Sequence, residues 1–378
     1  MAMARADSRT LELIGFALVA ALILVLLPLT LDIFRLNLVG KYLTYAFVAV
    51  GLVLCWGHTG ILSLGQGVFF GLGGYCMAAF LKLEASSVEN TKIQSTPGIP
   101  DFMDWNQLTE LPFFWLPFKS LPFTLIAVVA VPALAAFVLG AAMFKRRVGG
   151  VYFAIITQAL AAVMTILIIG RQGYTGGING ITDLRTLLGW DIRIDGAKYI
   201  LYFGCCFLLL ATMWLARVVL ASKLGRILVA TRDQEDRVRF SGYDVANFKI
   251  FVFCLASAMA AVGGAMFTLQ VGFMSPSFVG IVPSIEMVIF CAVGGRQSIV
   301  GAVVGTLLVN SGKTLFSESF PELWLFAMGG LFIAVVLAFP RGLAGLVTDQ
   351  LLPWLASWKG FSRREAAGAG APAPAPAE

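Results

Sequence analysis

The sequence predicts an all-α, polytopic membrane protein with about ten spanning helices arranged as an inverted pseudo-repeat. Three observations carry the fold class. Of 378 residues, 59% are hydrophobic and 13% charged, against about 25% charged in soluble domains. Mean hydropathy is +0.87. The apolar residues form continuous runs near the length of a bilayer-crossing helix, about 20 residues. A membrane barrel would alternate apolar and polar residues instead.

Taken in order, the spans lie near 11–31, 36–55, 60–81, 121–144, 150–170, 198–221, 247–271, 280–294, 297–316 and 322–339. The first run is long enough to cross, and no small-residue cleavage site follows it. The eighth is short and reads as a broken or partly inserted helix. With the N-terminus inside, 17 of the 27 Lys and Arg fall on inner segments. They include Arg5, Arg9, Lys145, Arg146, Arg147, the basic cluster in 217–249, Arg296 and Arg341. This bias places both termini in the cytoplasm. It also accounts for the net charge of +6 through topology and anionic lipid, without nucleic acid. Residues 1–350 read as one transmembrane domain, and 351–378 as a cytoplasmic tail whose Ala-Gly-Pro end is low in complexity and disordered.

Two long polar interruptions stand out. The outer one, about 83–119, is rich in Pro and aromatics, including Pro100, Phe102, Trp105, Pro112, Phe113, Phe114 and Trp115. It suits the membrane interface or a surface for an external partner. The inner one, about 222–244, has Leu224, Ile227, Leu228 and Thr231 on one helical face. Arg232, Asp233, Glu235, Asp236, Arg237 and Arg239 crowd its second half, and Gly242 is placed to end it. A short amphipathic helix with both signs of charge suits docking to another protein.

Polar groups within the spans point to a path. Gly57–Gly67 at the inner start of the third span and Gly272–Gly280 outside the eighth are both broken, and they face opposite sides. Paired broken segments in two halves suggest an inverted repeat around a central pathway, since irregular backbone at membrane depth needs protein or a watery cavity around it. Ser63, Gln66, Ser275, Pro276 and Glu286 are the candidate path residues. Glu286 reads either as a helix cap favoured by the dipole or as part of the path. Gln66, Gln158, Gln270 and Asn310 are neutral donor-acceptor groups.

Other classes lack their parts. Asn310–Thr314 resembles the end of a phosphate loop, but Leu307 stands where that loop needs Gly. A single histidine, His58, and no clustered carboxylates leave no catalytic or metal constellation. Six cysteines lie in apolar runs and read as small buried hydrophobes. Gly67/Gly71 and Gly301/Gly305 are small residues four apart, a close-packing device between spans.

Gly60–Tyr75 resembles the signature segment of permeases of branched-chain amino acid-type ABC importers. Gly225-Arg226, Ala230-Thr231-Arg232-Asp233 and Gly242-Tyr243 resemble the same family, as does Gly294–Ala302. The resemblance runs over about 40–346. Pro100–Met103 and Glu110–Trp115 resemble its urea-transporting branch. His58 and Thr59 depart from the family pattern, as does Thr231, where Ile is usual. The resemblance implies a bacterial inner-membrane permease, with no cofactor of its own, that pairs with a second homologous permease. Two cytoplasmic ATPase subunits and a periplasmic solute-binding protein complete the machine. It further implies that 222–244 is the coupling helix. Gly225, Arg226, Ala230, Arg232, Asp233, Glu235 and Gly242 would then serve the ATPase contact, and solute would move by alternating access.

Urea is neutral and rich in hydrogen-bonding groups, so a dry path must replace several kcal/mol of hydration. Ser63, Gln66, Ser275 and Glu286 could supply part of that. Branched-chain amino acids or short amides are the rival solutes. A stand-alone channel or secondary transporter is the rival of another class, and it has no use for a charged docking helix.

Overall fold

A computed structural model describes residues 2–320, 322–338 and 342–346; Arg341 and the tail at 351–378 lie outside them. The described residues are helical throughout, apart from loops and one two-stranded hairpin, Thr186–Leu187 with Trp190–Asp191. Among the described residues an apolar helix stands at each of the ten expected positions, eight of them of spanning length. We label the helices α1 (Ala2–Ala21, carried through a π turn to Thr30), α2 (Ile33–Leu52, ending in a π-helical turn, Val53–His58) and α3 (Gln66–Ala85). Next come α4 (Leu121–Phe144), α5 (Val151–Gly170), α6 (Asp195–Ala221), α7 (Lys223–Phe240) and α8 (Val245–Val271). The last three are α9 (Ile281–Gly294), α10 (Ile299–Ser319) and α11 (Trp324–Ala338). Among the described residues eight of them are long and apolar enough to cross a membrane; α9 and α11 are shorter, at 14 and 15 residues, and α7 is not a span.

Helices α2, α3 and α8 form the centre. Small residues let their backbones touch, as expected where apolar burial alone gives no driving force between helices. A Cβ on Gly264 would lie 1.8 Å from Phe70 O, and one on Gly73 2.2 Å from Ala261 O. Phe69 meets Phe253 lower in the pair and Gly74 O accepts from Thr268 Oγ1 further along, so α3 runs parallel to α8. Gly51 against Ala256 and Gly40 against Gln270 set α2 antiparallel to it. Phe153 joins Phe69 around Phe253, edge to face, in the same core. The peripheral helices instead expose apolar side chains such as Ile126, Leu134, Phe137 and Ile166, surfaces suited to lipid or to other spans.

The third span starts later than expected. Residues 60–65 are not helical, and α3 begins at Gln66. Gly60 adopts φ +79°, which favours glycine, and Leu64 N–H donates to Thr157 Oγ1 at 3.0 Å. The local backbone is therefore held away from a helical register.

Opposite the α7 end, the 83–119 insert buries Ile99, Phe102, Met103 and Trp115, continuous with the core of the bundle. Trp105 and Phe113 remain exposed. Lys82, almost fully buried, pairs with Asp101 at 2.8 Å and donates to Thr182 O. A third polar stretch, 171–194, is an element that the hydropathy pattern does not single out. It carries the hairpin and pairs Ile181 with Met274 as a β-bridge. Its one signal in the sequence is the Gly-rich Gly176–Gly180.

Asp104 clamps the insert by accepting from Thr96 N–H, the Thr96 hydroxyl and Ser95 N–H. The Thr96 hydroxyl above all holds its carboxyl below the ordinary carboxylate value. A lowered folded pKa gives stability that is complete above the unfolded pKa and lost as pH falls through the folded value. Asp104→Asn is therefore expected to speed deuterium exchange of the 95–104 amides at neutral pH. The difference from the parent should shrink as pH drops below about 4.

Candidate translocation site and docking helix

The two broken segments meet. Residues 60–65 enter from the α7 end and 272–280 from the insert end. The helices that follow them, α3 and α9, start at one depth and run apart. Gly67 N–H donates to Ser284 Oγ at 3.1 Å, and Ser284 in turn donates to Gly280 O at 2.8 Å. A Cβ on Gly67 would lie 2.5 Å from Ser284 Oγ and 3.0 Å from Val279 O, and one on Gly71 2.4 Å from Val279 Cγ2. Two helix N-termini thus converge, each with a partial positive charge, while Gly67 N–H is held by Ser284, Val68 N–H by Gly65 O and Ser284 N–H by Gly280 O. This arrangement suits a carbonyl or carboxylate oxygen.

Ser63 and Gln66 sit at this junction, 0% and 1% exposed. Neither the Ser63 hydroxyl nor either polar atom of Gln66 has a protein partner. A buried polar atom left so costs about 1–3 kcal/mol, and such atoms call for a functional explanation. Ser275 and Pro276 are placed differently. Ser275 caps the turn Pro276–Phe278 by accepting from Ser277 N–H at 3.3 Å, and its hydroxyl reaches Ile178 O. Pro276 is the buried first residue of that turn. These two shape the segment that presses Val279 on Gly67 and Gly71.

Glu286 lies beyond the first turn of α9, so it is not a cap of that helix. Its carboxylate accepts from Lys313 of α10 at 2.8 Å. Lys41 and Tyr45 of α2 are within its electrostatic reach. Lys41 Nζ stands 5.8 Å from the centre of the Phe267 ring, and Tyr42 hydrogen-bonds Thr314. Tyr45 packs among Phe70, Phe267 and Phe290 at 5.4–5.9 Å. A charged cluster therefore adjoins an aromatic one inside the bundle. Lys41, Tyr45, Lys313 and Ser284 are functional candidates that the sequence pattern leaves unmarked. Lys313 stands out there only within the phosphate-loop look-alike. A lysine inside an apolar run is the signal that could have found Lys41.

Helix α7 is the expected amphipathic helix. Ser222 caps it by accepting from Leu224 N–H at 3.1 Å. Gly225 is buried, because a Cβ there would lie 2.1 Å from Leu220 O. Leu228, Thr231 and Val238 face inward. Lys223, Arg226, Ala230 and Asp233 form an exposed stripe at helical spacing on the other side, and Arg237, beyond the kink, is exposed as well. Gln234 (φ −151°, ψ 77°) kinks the helix, a break the sequence pattern does not announce. Gly242 follows the helix at φ +87°. Arg232 and Glu235 turn back onto the protein. Arg232 donates to Gly57 O and to Asp233, both at 2.8 Å. Glu235 pairs with Arg239 at 2.8 Å and with Lys249 of α8 at 2.7 Å. Of the seven residues expected on this face, Arg226, Ala230, Asp233 and Gly242 are exposed.

Comparison with known proteins agrees with this architecture. The family described as "Branched-chain amino acid transport system / permease component" matches residues 34–336. The high-affinity branched-chain amino acid transport system permease protein LivM of Salmonella typhimurium is 25% identical over 368 residues, covering 91% of this chain and 78% of the relative. LivM of Escherichia coli is 26% identical, covering 85% and 71%. The autoinducer 2 import system permease protein LsrC of Yersinia pestis is 30% identical over 139 residues, 35% of this chain and 38% of LsrC. No solved structure matches.

Proposed function

The chain belongs to the branched-chain amino acid transport system permease family, as a multi-pass membrane subunit of an ABC importer, and on that premise we propose that its solute is urea. The observation that carries this reading is the junction of α3 and α9. Beside two helix N-termini with their partial positive charge, Ser63 and Gln66 offer neutral groups without protein partners. A small neutral solute with a carbonyl oxygen and several N–H groups satisfies such a set without bringing charge into the membrane. The likeness of Pro100–Met103 and Glu110–Trp115 to the urea-transporting branch supports the same solute.

A second reading, an amino acid, is favoured by the relatives' names and by Lys41, Glu286 and Lys313, which could bind a zwitterion. Uptake of labelled urea by membranes holding the full transporter separates the two. Saturable, ATP-dependent uptake that excess leucine leaves unchanged is the expected result. Competition by leucine would replace urea with an amino acid.

In this reading both termini and α7 lie in the cytoplasm, and the 83–119 insert faces the periplasm. The partners are a second homologous permease, two ATPase subunits on the cytoplasmic side, a periplasmic solute-binding protein and membrane lipid. The exposed stripe of α7 is the ATPase contact. Arg226→Glu combined with Arg237→Glu is expected to reduce co-purification of the ATPases more than tenfold, with insertion of the chain unchanged. Retained co-purification would move the contact elsewhere.

A further inference from the structure

The α7 end of α2 does not finish as a plain helix. Its last turn is π-helical, Val53–His58, and the chain then folds back on it. Thr59 Oγ1 donates to Leu54 O, Ile61 N–H donates to Cys55 O, and His58 Nδ1 lies 2.9 Å from Val53 O. The result is a compact knot, and only 62–65 separate it from Gln66, where α3 starts. Two arginines from other elements grip this knot. Arg232 of α7 donates from Nη1 to Gly57 O at 2.8 Å. Its stem lies against Gly60, where a Cβ would approach Arg232 Cγ to 3.2 Å. From the turn after α9, Arg296 lays its guanidinium over the Trp56 ring at 5.4 Å. Its carbonyl would be 1.7 Å from a Cβ on Gly57, so the two backbones are in direct contact.

The knot therefore joins three elements at one point: α7, the segment leading into α3, and the far end of α9. Helices α3 and α9 are the two whose N-termini meet at Gly67 and Ser284. Arg232 is also the wrong shape for a partner contact. Its side chain is only 27% exposed: Nε is tied to Asp233 at the edge of the exposed stripe, while Nη1 reaches inward to Gly57 O. A guanidinium bonded to a carbonyl at a helix C-terminus is a charge-assisted bond placed favourably in the helix dipole. It is short and directional, so it transmits displacement better than an apolar contact would.

We infer that Arg232 is a positioning residue that links movement of α7 to the solute junction, by holding Gly57 O and, through 57–65, the start of α3. The inference rests on the reading of α7 as the ATPase-docking helix. It differs from that reading in separating two tasks on one helix: the exposed stripe binds the partner, and Arg232 passes the motion inward.

The test uses the complete transporter in proteoliposomes, with parent, Arg232→Ala, Arg232→Met and Arg232→Lys. Methionine keeps a stem against Gly60 and removes the donor; lysine keeps a charged donor. The readouts are ATPase co-purification, ATP hydrolysis and urea taken up per ATP hydrolysed. For Arg232→Ala and Arg232→Met we expect co-purification within twofold of the parent and hydrolysis within threefold. Uptake per ATP should fall at least tenfold, and Arg232→Lys should recover it to within threefold. Loss of co-purification in both Ala and Met variants would make Arg232 a docking or folding residue and overturn the proposal. An unchanged ratio of uptake to hydrolysis would overturn it as well. Failure of the parent chain to bind any ATPase would instead sink the docking reading itself.

Discussion

Gly67→Ala is expected to reduce uptake at least a hundredfold while the chain still inserts and assembles. Glycine here is required by contact, since a Cβ at this position would lie 2.5 Å from Ser284 Oγ and 3.0 Å from Val279 O. The added methyl would force α3 and α9 apart at the point where their N-termini meet, and it would stretch the bond from Gly67 N–H to Ser284. Overpacking of this kind costs about 1–3 kcal/mol, which a large membrane domain can absorb. The geometry of a small polar junction cannot absorb it, because hydrogen bonds weaken steeply with distance and angle. Gly204→Ala in α6 is the control. Nothing lies within 4 Å of its added Cβ, and alanine is the better helix former by about 1 kcal/mol. Uptake and the thermal stability of both purified variants would be measured side by side. Equal activity of the two would mean that the junction is not on the solute path.

Glu286→Gln carries the second large effect. The carboxylate is 14% exposed and bonded to Lys313 at 2.8 Å, inside a bundle where Lys41 also lies close. Removing the negative charge leaves the neighbouring lysines facing each other across a poorly solvated space. Breaking a buried pair from one side costs about 3–5 kcal/mol, and the partial exposure of Lys313 argues for the lower end. Lys313→Met should also destabilise. Glu286→Gln with Lys313→Met should recover part of the loss, because Lys313 no longer lacks its counter-charge and Lys41 is, among the described residues, the one cation left at the cluster. A double-mutant cycle on the denaturation of the purified transporter gives the coupling directly. Strict additivity would show that the pair contributes nothing. Uptake divides the solute readings further. A urea path needs the pair for architecture alone, so the double variant should regain urea transport. A zwitterion site would use the charges themselves and would remain inactive.

The helices, their order and the amphipathic character of α7 follow from the chain alone. Apolar runs of spanning length allow little else in lipid, where backbone groups must be satisfied within the segment. Span boundaries such as 121–144 are readable because Pro122 and the basic Lys145–Arg147 mark the ends. The break at 60–65 is legible as a cluster of glycines and polar residues, and so is its counterpart at 272–280. Their meeting is not, because nothing local in either segment records which backbone the other will touch.

Three further matters depend on how the bundle closes. Gly67 is set against Ser284, 217 residues away in sequence. Glu286 is paired with Lys313, and Arg232 is turned inward to Gly57, 175 residues away. Hydropathy and helical spacing measure how each residue partitions between water, lipid and a neighbour of any kind. They are blind to which carbonyl a buried arginine reaches. That choice depends on the depth at which α2, α3 and α8 lock together through their glycines, a depth set by backbone contact that no single segment contains.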